Sequence, residues 1–229
     1  MKPPLILLHG AIGAASQFNF FSNLLSESFT IYTFDFEGHG QRAFNNRPFR
    51  IQHFAENLSE FIEEYHLQPA NLLGYSMGGY VALHLAAKRP EYIHRIYTLA
   101  TKFDWNIETA LKESAQLNPE KLKEKVPQFA DTLQQRHLHG WEQNLEHTAE
   151  MMIHLGINPA LDKTILNKVE AKCIIAVGDS DKMVSQSETE NFVSYISDAQ
   201  FKVLHNTQHP LEKLNADLLK SELEGFFIT

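Results

Sequence analysis

The sequence predicts an α/β fold: a three-layer α/β/α body on a mostly parallel sheet of about six strands, carrying a helical insert. Three observations lead there. Short apolar runs alternate with longer amphipathic stretches, the signature of repeated strand-helix-strand units. The first run, Pro4 to Leu8, is continuous rather than alternating, as in a strand covered on both faces. The alternation stops after the fourth strand and resumes about 70 residues later. Residues 1–100 and 169–229 are therefore assigned to the body and 101–168 to a helical cap.

The elements follow in order. Pro4 to Leu8 is the first strand, and Ser16 to Ser26 has helical spacing. Phe29 to Phe34 is a second β-rich run. Ile51, Phe54, Leu58, Phe61, Ile62 and Tyr65 form one helical stripe. Asn71 to Tyr75 is a strand. Met77 to Lys88 is apolar almost all round, a buried helix that stops at Arg89-Pro90. Ile93 to Ala100 is the fourth strand. In the insert, Leu122, Val126, Phe129 and Leu133 make one stripe, and Trp141, Leu145, Ala149 and Met152 another. Lys172 to Val177, Ser185 to Tyr195, Phe201 to Leu204 and Leu211 to Phe226 complete the body as strand, helix, strand, helix. In such sheets ligands bind beyond the carboxyl ends of the strands, where the insert is expected to sit.

Composition bounds the partners. The chain has 229 residues, 43% of them apolar, enough for one large core. A formal net charge of −8 argues against nucleic acid or an anionic membrane surface. The single cysteine, Cys173, forms no internal disulfide and lies among Val169, Ile174, Ile175 and Val177, so it reads as a small buried hydrophobe. The apolar run Leu5 to Leu8 is too short for a signal core or a membrane span. The expectation is a cytoplasmic protein with a small-molecule substrate, no cofactor and no metal; the oligomeric state is not legible.

The strongest local signal is Gly74-Tyr75-Ser76-Met77-Gly78, followed by Gly79, at a strand-to-helix junction. A serine on such a tight turn stands exposed above the sheet. Glycines are needed where strand and helix crowd the turn, and the helix N-terminus directs amide hydrogens at the reaction site. Serine needs a base and the base an orienting acid, which follow in the order acid, histidine. The loop Leu204 to Pro210 offers His209, just before the last helix, and His205. The loop after Val177 offers Asp179 and Asp181, and Asp104 follows the fourth strand. Oxyanion donors are expected at the amide of Met77 and, in the loop His9 to Gly13, at the amide of Ala11.

Leu8-His9-Gly10, Asp35-Phe36-Glu37-Gly38-His39-Gly40, Gly74 to Gly79, Gly178-Asp179-Ser180-Asp181 and Gln208-His209 together resemble the α/β-hydrolase family, in that family's order and over nearly the whole chain. The resemblance implies Ser76 as nucleophile, His209 as base and Asp181, rather than Asp179, as acid, since the family's acid stands three residues after that glycine. It also implies that the chain starts at the family's third strand, without the usual N-terminal hairpin. Gln208 stands where the family often has glycine, and Glu37 where it often has proline. His9 and His39 are implied to mark loop geometry near the site.

The implied chemistry is hydrolysis of a small to medium carboxylic ester, thioester or lactone through an acyl-enzyme. Phe18, Phe20, Phe103, Trp105, Trp141, Met151 and Met152 are candidates to line an apolar site. His137, His139, His147 and His154 fall in the insert without a carboxylate or cysteine cluster and read as a solvated helix face. A second expectation is C–C bond hydrolysis or lyase chemistry: Gly74 to Gly79 is similar to the menaquinone-pathway synthase branch. Tyr80 stands where that branch often carries a basic residue, which speaks against an anionic substrate. A third is a non-catalytic small-molecule binding protein, a role usually marked by loss of a triad member; here all three positions are filled.

Overall fold

A computed structural model describes residues 2–228. Six strands form one sheet: β1 (Pro4–Leu8), β2 (Thr30–Thr33), β3 (Ala70–Tyr75), β4 (Ile93–Leu99), β5 (Lys172–Gly178) and β6 (Ala199–Leu204), in the order β2-β1-β3-β4-β5-β6. Every neighbouring pair is parallel. The chain reverses its direction of winding between β1 and β3, which opens a crevice above their carboxyl ends.

Alternate strand residues face opposite layers. Ile6, Leu8, Leu72, Ile96, Cys173 and Ile175 pack under α2 (Ile51–Glu64), α3 (Met77–Lys88) and α9 (Gln186–Val193). Leu5, Leu7, Leu73, Tyr97, Ile174 and Ala176 pack under α1 (Asn19–Leu25) and α10 (Ala216–Phe227). Cys173 is fully buried and burial pushes its thiol pKa up, so it behaves as a hydrophobe. Among the described residues no helix is long and apolar enough to cross a membrane.

Between β4 and β5 lie α4 (Ile107–Ser114), α5 (Pro119–Lys125), α6 (Pro127–Arg136), α7 (Trp141–Ile157) and α8 (Lys163–Leu166). The stripe expected from Leu122 to Leu133 is broken. Pro127 has no amide to continue α5, so it opens α6 instead, and Val126 and Phe129 are left exposed. The long C-terminal helix also starts later than its apolar pattern suggests. A single 3-10 turn at Leu211–Lys213 precedes α10, whose start is fixed by the Asn215 side chain accepting from the Leu218 amide.

Candidate active site

Ser76 sits between β3 and α3 at φ 51°, ψ −116°. That left-handed conformation is costly for a residue with a Cβ and persists only where neighbours over-determine it. Here they do. The Ser76 amide donates to Leu99 O at 2.8 Å. Its carbonyl accepts from Thr101 Oγ1 at 3.0 Å and from the amides of Gly79 and Tyr80. Met77 opens the helix, so its amide has no intrahelical acceptor, and the residue lines the cavity.

The glycines are steric requirements. A Cβ on Gly78 would lie 2.3 Å from Leu8 O and 2.8 Å from His9 O, and one on Gly74 would lie 2.4 Å from the Gly79 Cα. These are backbone atoms of packed elements and cannot swing away. Gly78→Ala is expected to destabilise the fold by about 3 kcal/mol or more; the urea unfolding midpoint checks this, and an unchanged midpoint contradicts it.

His209 and Asp181 come together from the loops after β6 and β5. His209 Nδ1 bonds Asp181 Oδ2 at 2.8 Å, with the carboxylate side chain wholly buried. Asp181 Oδ1 accepts from the amides of Met183 at 2.8 Å and Val184 at 2.9 Å. Burial pushes the Asp181 pKa up, but the hydrogen bond and charge of His209 and the two amides more than offset it, so the carboxyl titrates below its usual range. The backbone of His209 is anchored from below, its carbonyl accepting from Tyr75 Oη at 2.9 Å.

The other candidates lie elsewhere. His205 is highly exposed and bonds Asp179 Oδ2 at 3.2 Å, a second histidine–carboxylate pair that does not reach the crevice. Asp179 itself closes the turn, accepting from Thr207 N and Ser180 Oγ. Asp104 is exposed.

Ser76, Met77, His209, Gly10 and Ala11 line one cavity of about 450 Å³, roofed by the insert. Of the expected lining residues, Trp105, Met151 and Met152 are in its wall. Phe18, Phe103, Trp141 and Phe20 are not. Phe18 is buried beneath the sheet with α1 and α10. Phe103 stacks on Phe192. Trp141 packs with Ala130, Leu133 and Leu145 inside the cap. Phe20 is solvent-exposed. Phe18, Phe103 and Trp141 were drawn into cores, while the cavity keeps Trp105, Tyr75, Tyr80 and Phe129 beside smaller, flexible groups. Every methionine among the described residues lines it: Met77, Met151, Met152 and Met183. Ile51, Leu155 and Tyr80 add to the wall, and Gln17, Lys102, Arg136 and Glu212 form its polar margin. For Leu155 the signal was available, since it falls one helical turn after Met151 and Met152.

The insert histidines are not a solvated face. His137 is buried; its Nε2 bonds Ile12 O and its Nδ1 accepts from the Gly40 amide, both at 3.0 Å. His147 packs edge-on against Phe44 and Phe49. His154 is partly buried, and only His139 is exposed, bonding Gln41 O. His9 and His39 are fully buried, with ring centroids 5.1 Å apart; His9 Nδ1 bonds Gly10 O and its Nε2 accepts from Phe36 N. Burial pushes His9 and His137 down to about 4, against the upward pull of their backbone hydrogen bonds, and pushes His39 well below its usual value. Glu37 is buried against Arg47, Asn45 and Asn57 and ties the neighbouring loop to α2.

The fold and the site have counterparts. A family model described as the α/β hydrolase fold matches residues 3–119. Proline iminopeptidase PfmaB of Pestalotiopsis fici is 22% identical, covering 97% of this chain and 91% of that protein. Ethanol acetyltransferase 1 of Hanseniaspora uvarum is 33% identical over 96 residues, 39% of this chain, so the match spans only about a quarter of that relative's length, 27%. The crystal structure of an enol-lactonase from Burkholderia xenovorans LB400 superimposes with a TM-score of 0.78 at 17% identity, covering 100% of this chain and 92% of the lactonase, a likeness of fold. With the matched residues running from β1 through the Ser76 turn into the insert, the chain belongs to the α/β hydrolase fold family and is an α/β hydrolase.

Proposed function

We propose that this hydrolase cleaves a small to medium, largely uncharged carboxylic ester, thioester or lactone through an acyl-enzyme on Ser76. The observation that carries this reading is the shared cavity. A strained serine, a helix N-terminus and a histidine already bonded to a buried carboxylate all open into one apolar chamber. Asp181 holds His209 with its proton on Nδ1, leaving Nε2 free to take the Ser76 proton. Ser76 Oγ attacks the carbonyl carbon, and the amides of Met77 and Ala11 receive the developing oxyanion. His209 then protonates the departing alcohol or thiol, and water, activated by the same imidazole, releases the acid.

The cavity favours uncharged substrates over the anionic ones of the lyase reading. Its two cations already have carboxylate partners: Lys102 with Glu188 at 3.5 Å and Arg136 with Glu212 at 3.4 Å. The single buried thiol suits a reducing compartment such as the cytoplasm. A fluorophosphonate probe is expected to modify the protein at Ser76, with the adduct located by peptide mass spectrometry and absent from Ser76→Ala. Labelling at another residue, or an unlabelled chain that nevertheless binds esters tightly, refutes the acyl-enzyme.

A further inference from the structure

The loop that carries the Ala11 amide is held from outside itself. Ile12 adopts φ 53°, a left-handed conformation that a β-branched residue resists. Within the loop Gly13 N donates to Gly10 O at 3.1 Å, Gly10 O also bonds His9 Nδ1 at 2.8 Å, and the Ala14 amide donates to Gln17 Oε1 at 3.0 Å. The carbonyl of Ile12 is instead gripped by the cap. It accepts from His137 Nε2 at 3.0 Å and from Arg136 Nη1 at 3.2 Å, both at the C-terminal end of α6. Because His137 Nδ1 accepts from the Gly40 amide, the ring proton must sit on Nε2, where it serves Ile12.

The imidazole is itself locked. Leu138 N donates to Gly40 O at 3.0 Å, and Asn144 Nδ2 donates to Gly38 O at 2.8 Å. The ring meets His39 edge-on at 5.8 Å. One neutral side chain thus bridges two loops of the body. The far end of the oxyanion loop has its own anchor, Ala15 N donating to Asp35 Oδ1 at 2.7 Å. Between those braces, the grip on Ile12 O is what ties the middle of the turn to the cap.

We infer that His137 is a positioning residue for the oxyanion hole: through the Ile12 carbonyl, the cap aims the amide of Ala11. The inference rests on the Ser76 acyl-enzyme reading. An oxyanion exists only in the transition state and the tetrahedral intermediate, so misaiming the donor lowers kcat and leaves KM nearly unchanged.

The two ring nitrogens can be separated by substitution. In His137→Asn the new side chain can still accept from the Gly40 amide but is too short to reach Ile12. In His137→Gln the longer amide can donate to Ile12 O as Nε2 does. The test measures kcat and KM on p-nitrophenyl butyrate and the inhibition constant of an alkyl trifluoromethyl ketone, whose serine adduct places an oxyanion in the hole. Thermal midpoints are recorded in parallel. His137→Asn is expected to lose about 10- to 100-fold in kcat with KM within about twofold. Its ketone inhibition constant should rise by the same factor, and His137→Gln should recover most of both. If the variants lose activity equally and in step with their thermal midpoints, His137 is merely structural and the inference falls. It also falls if His137→Asn matches the parent. A parent protein that neither hydrolyses the ester nor binds the ketone removes the Ser76 reading itself, and the inference with it.

Discussion

Asp181→Asn is expected to lower kcat for ester hydrolysis by about 10⁴-fold while the protein stays folded. The reason lies in what Asp181 Oδ1 is committed to. It accepts from the amides of Met183 and Val184, so in the variant the carboxamide oxygen must take that position. The amide nitrogen is then turned toward His209 Nδ1, which must become an acceptor. The proton moves to Nε2, and the imidazole loses the lone pair that would receive the Ser76 proton. Ser76→Ala sets the lower limit, about 10⁶-fold below the parent. Steady-state kinetics on a short p-nitrophenyl ester, with circular dichroism to check the fold, decides the matter. An Asp181→Asn variant within tenfold of the parent would transfer the acid role to another carboxylate.

The second large effect is on stability. His9, His39 and His137 form a buried, neutral cluster beside the loop that follows β1. In the unfolded chain each imidazole takes up a proton near pH 6.5; in the folded protein His9 and His137 do so only near about 4. Between those values the unfolded state binds more protons, so stability falls as pH falls, by up to roughly 1.4 kcal/mol per pH unit per histidine. Over the window each costs about 3 kcal/mol, a large part of a typical domain's 5 to 15. Asp181, whose pKa is lowered, adds its own loss only at more acid pH, below the ordinary carboxylate range. Urea midpoints from pH 7.5 to 4.5 are expected to drop steeply below about pH 6.5. His137→Gln removes one of the three groups and should make the slope measurably shallower. A profile level from pH 7 to 5 contradicts the cluster's role.

What the sequence disclosed and what it hid divide along a physical line. Strands and body helices were legible because burial on one or two faces stamps a period on local sequence, as in Leu5 to Leu8 and Ile51 to Tyr65. The Ser76 turn was legible because its glycines are demanded by backbone contact. The cavity wall was not, since the same periodicity marks both residues that glue the cap together and residues that face a ligand. Trp141 and Met152 share a stripe on α7, yet only Met152 reaches the cavity. His137 was hidden for another reason: its partners, Ile12 and Gly40, lie about a hundred residues or more away, and a polar residue near the end of a polar helix looks solvated until the opposing loop is in place.

The thioether wall bears on discrimination. Met151, Met152 and Met183 are unbranched, polarisable and able to change rotamer at little cost, so the part of the chamber they line, beside Trp105 and Tyr80, can fit itself around chains of different length and curvature. A rigid aromatic wall would reject an extra methylene by steric clash; a compliant one gives it contact instead. Selectivity in this enzyme should then follow polarity rather than shape: neighbouring members of an aliphatic acyl series processed at similar rates, and a buried charge or an unpaired hydroxyl on the acyl chain strongly disfavoured.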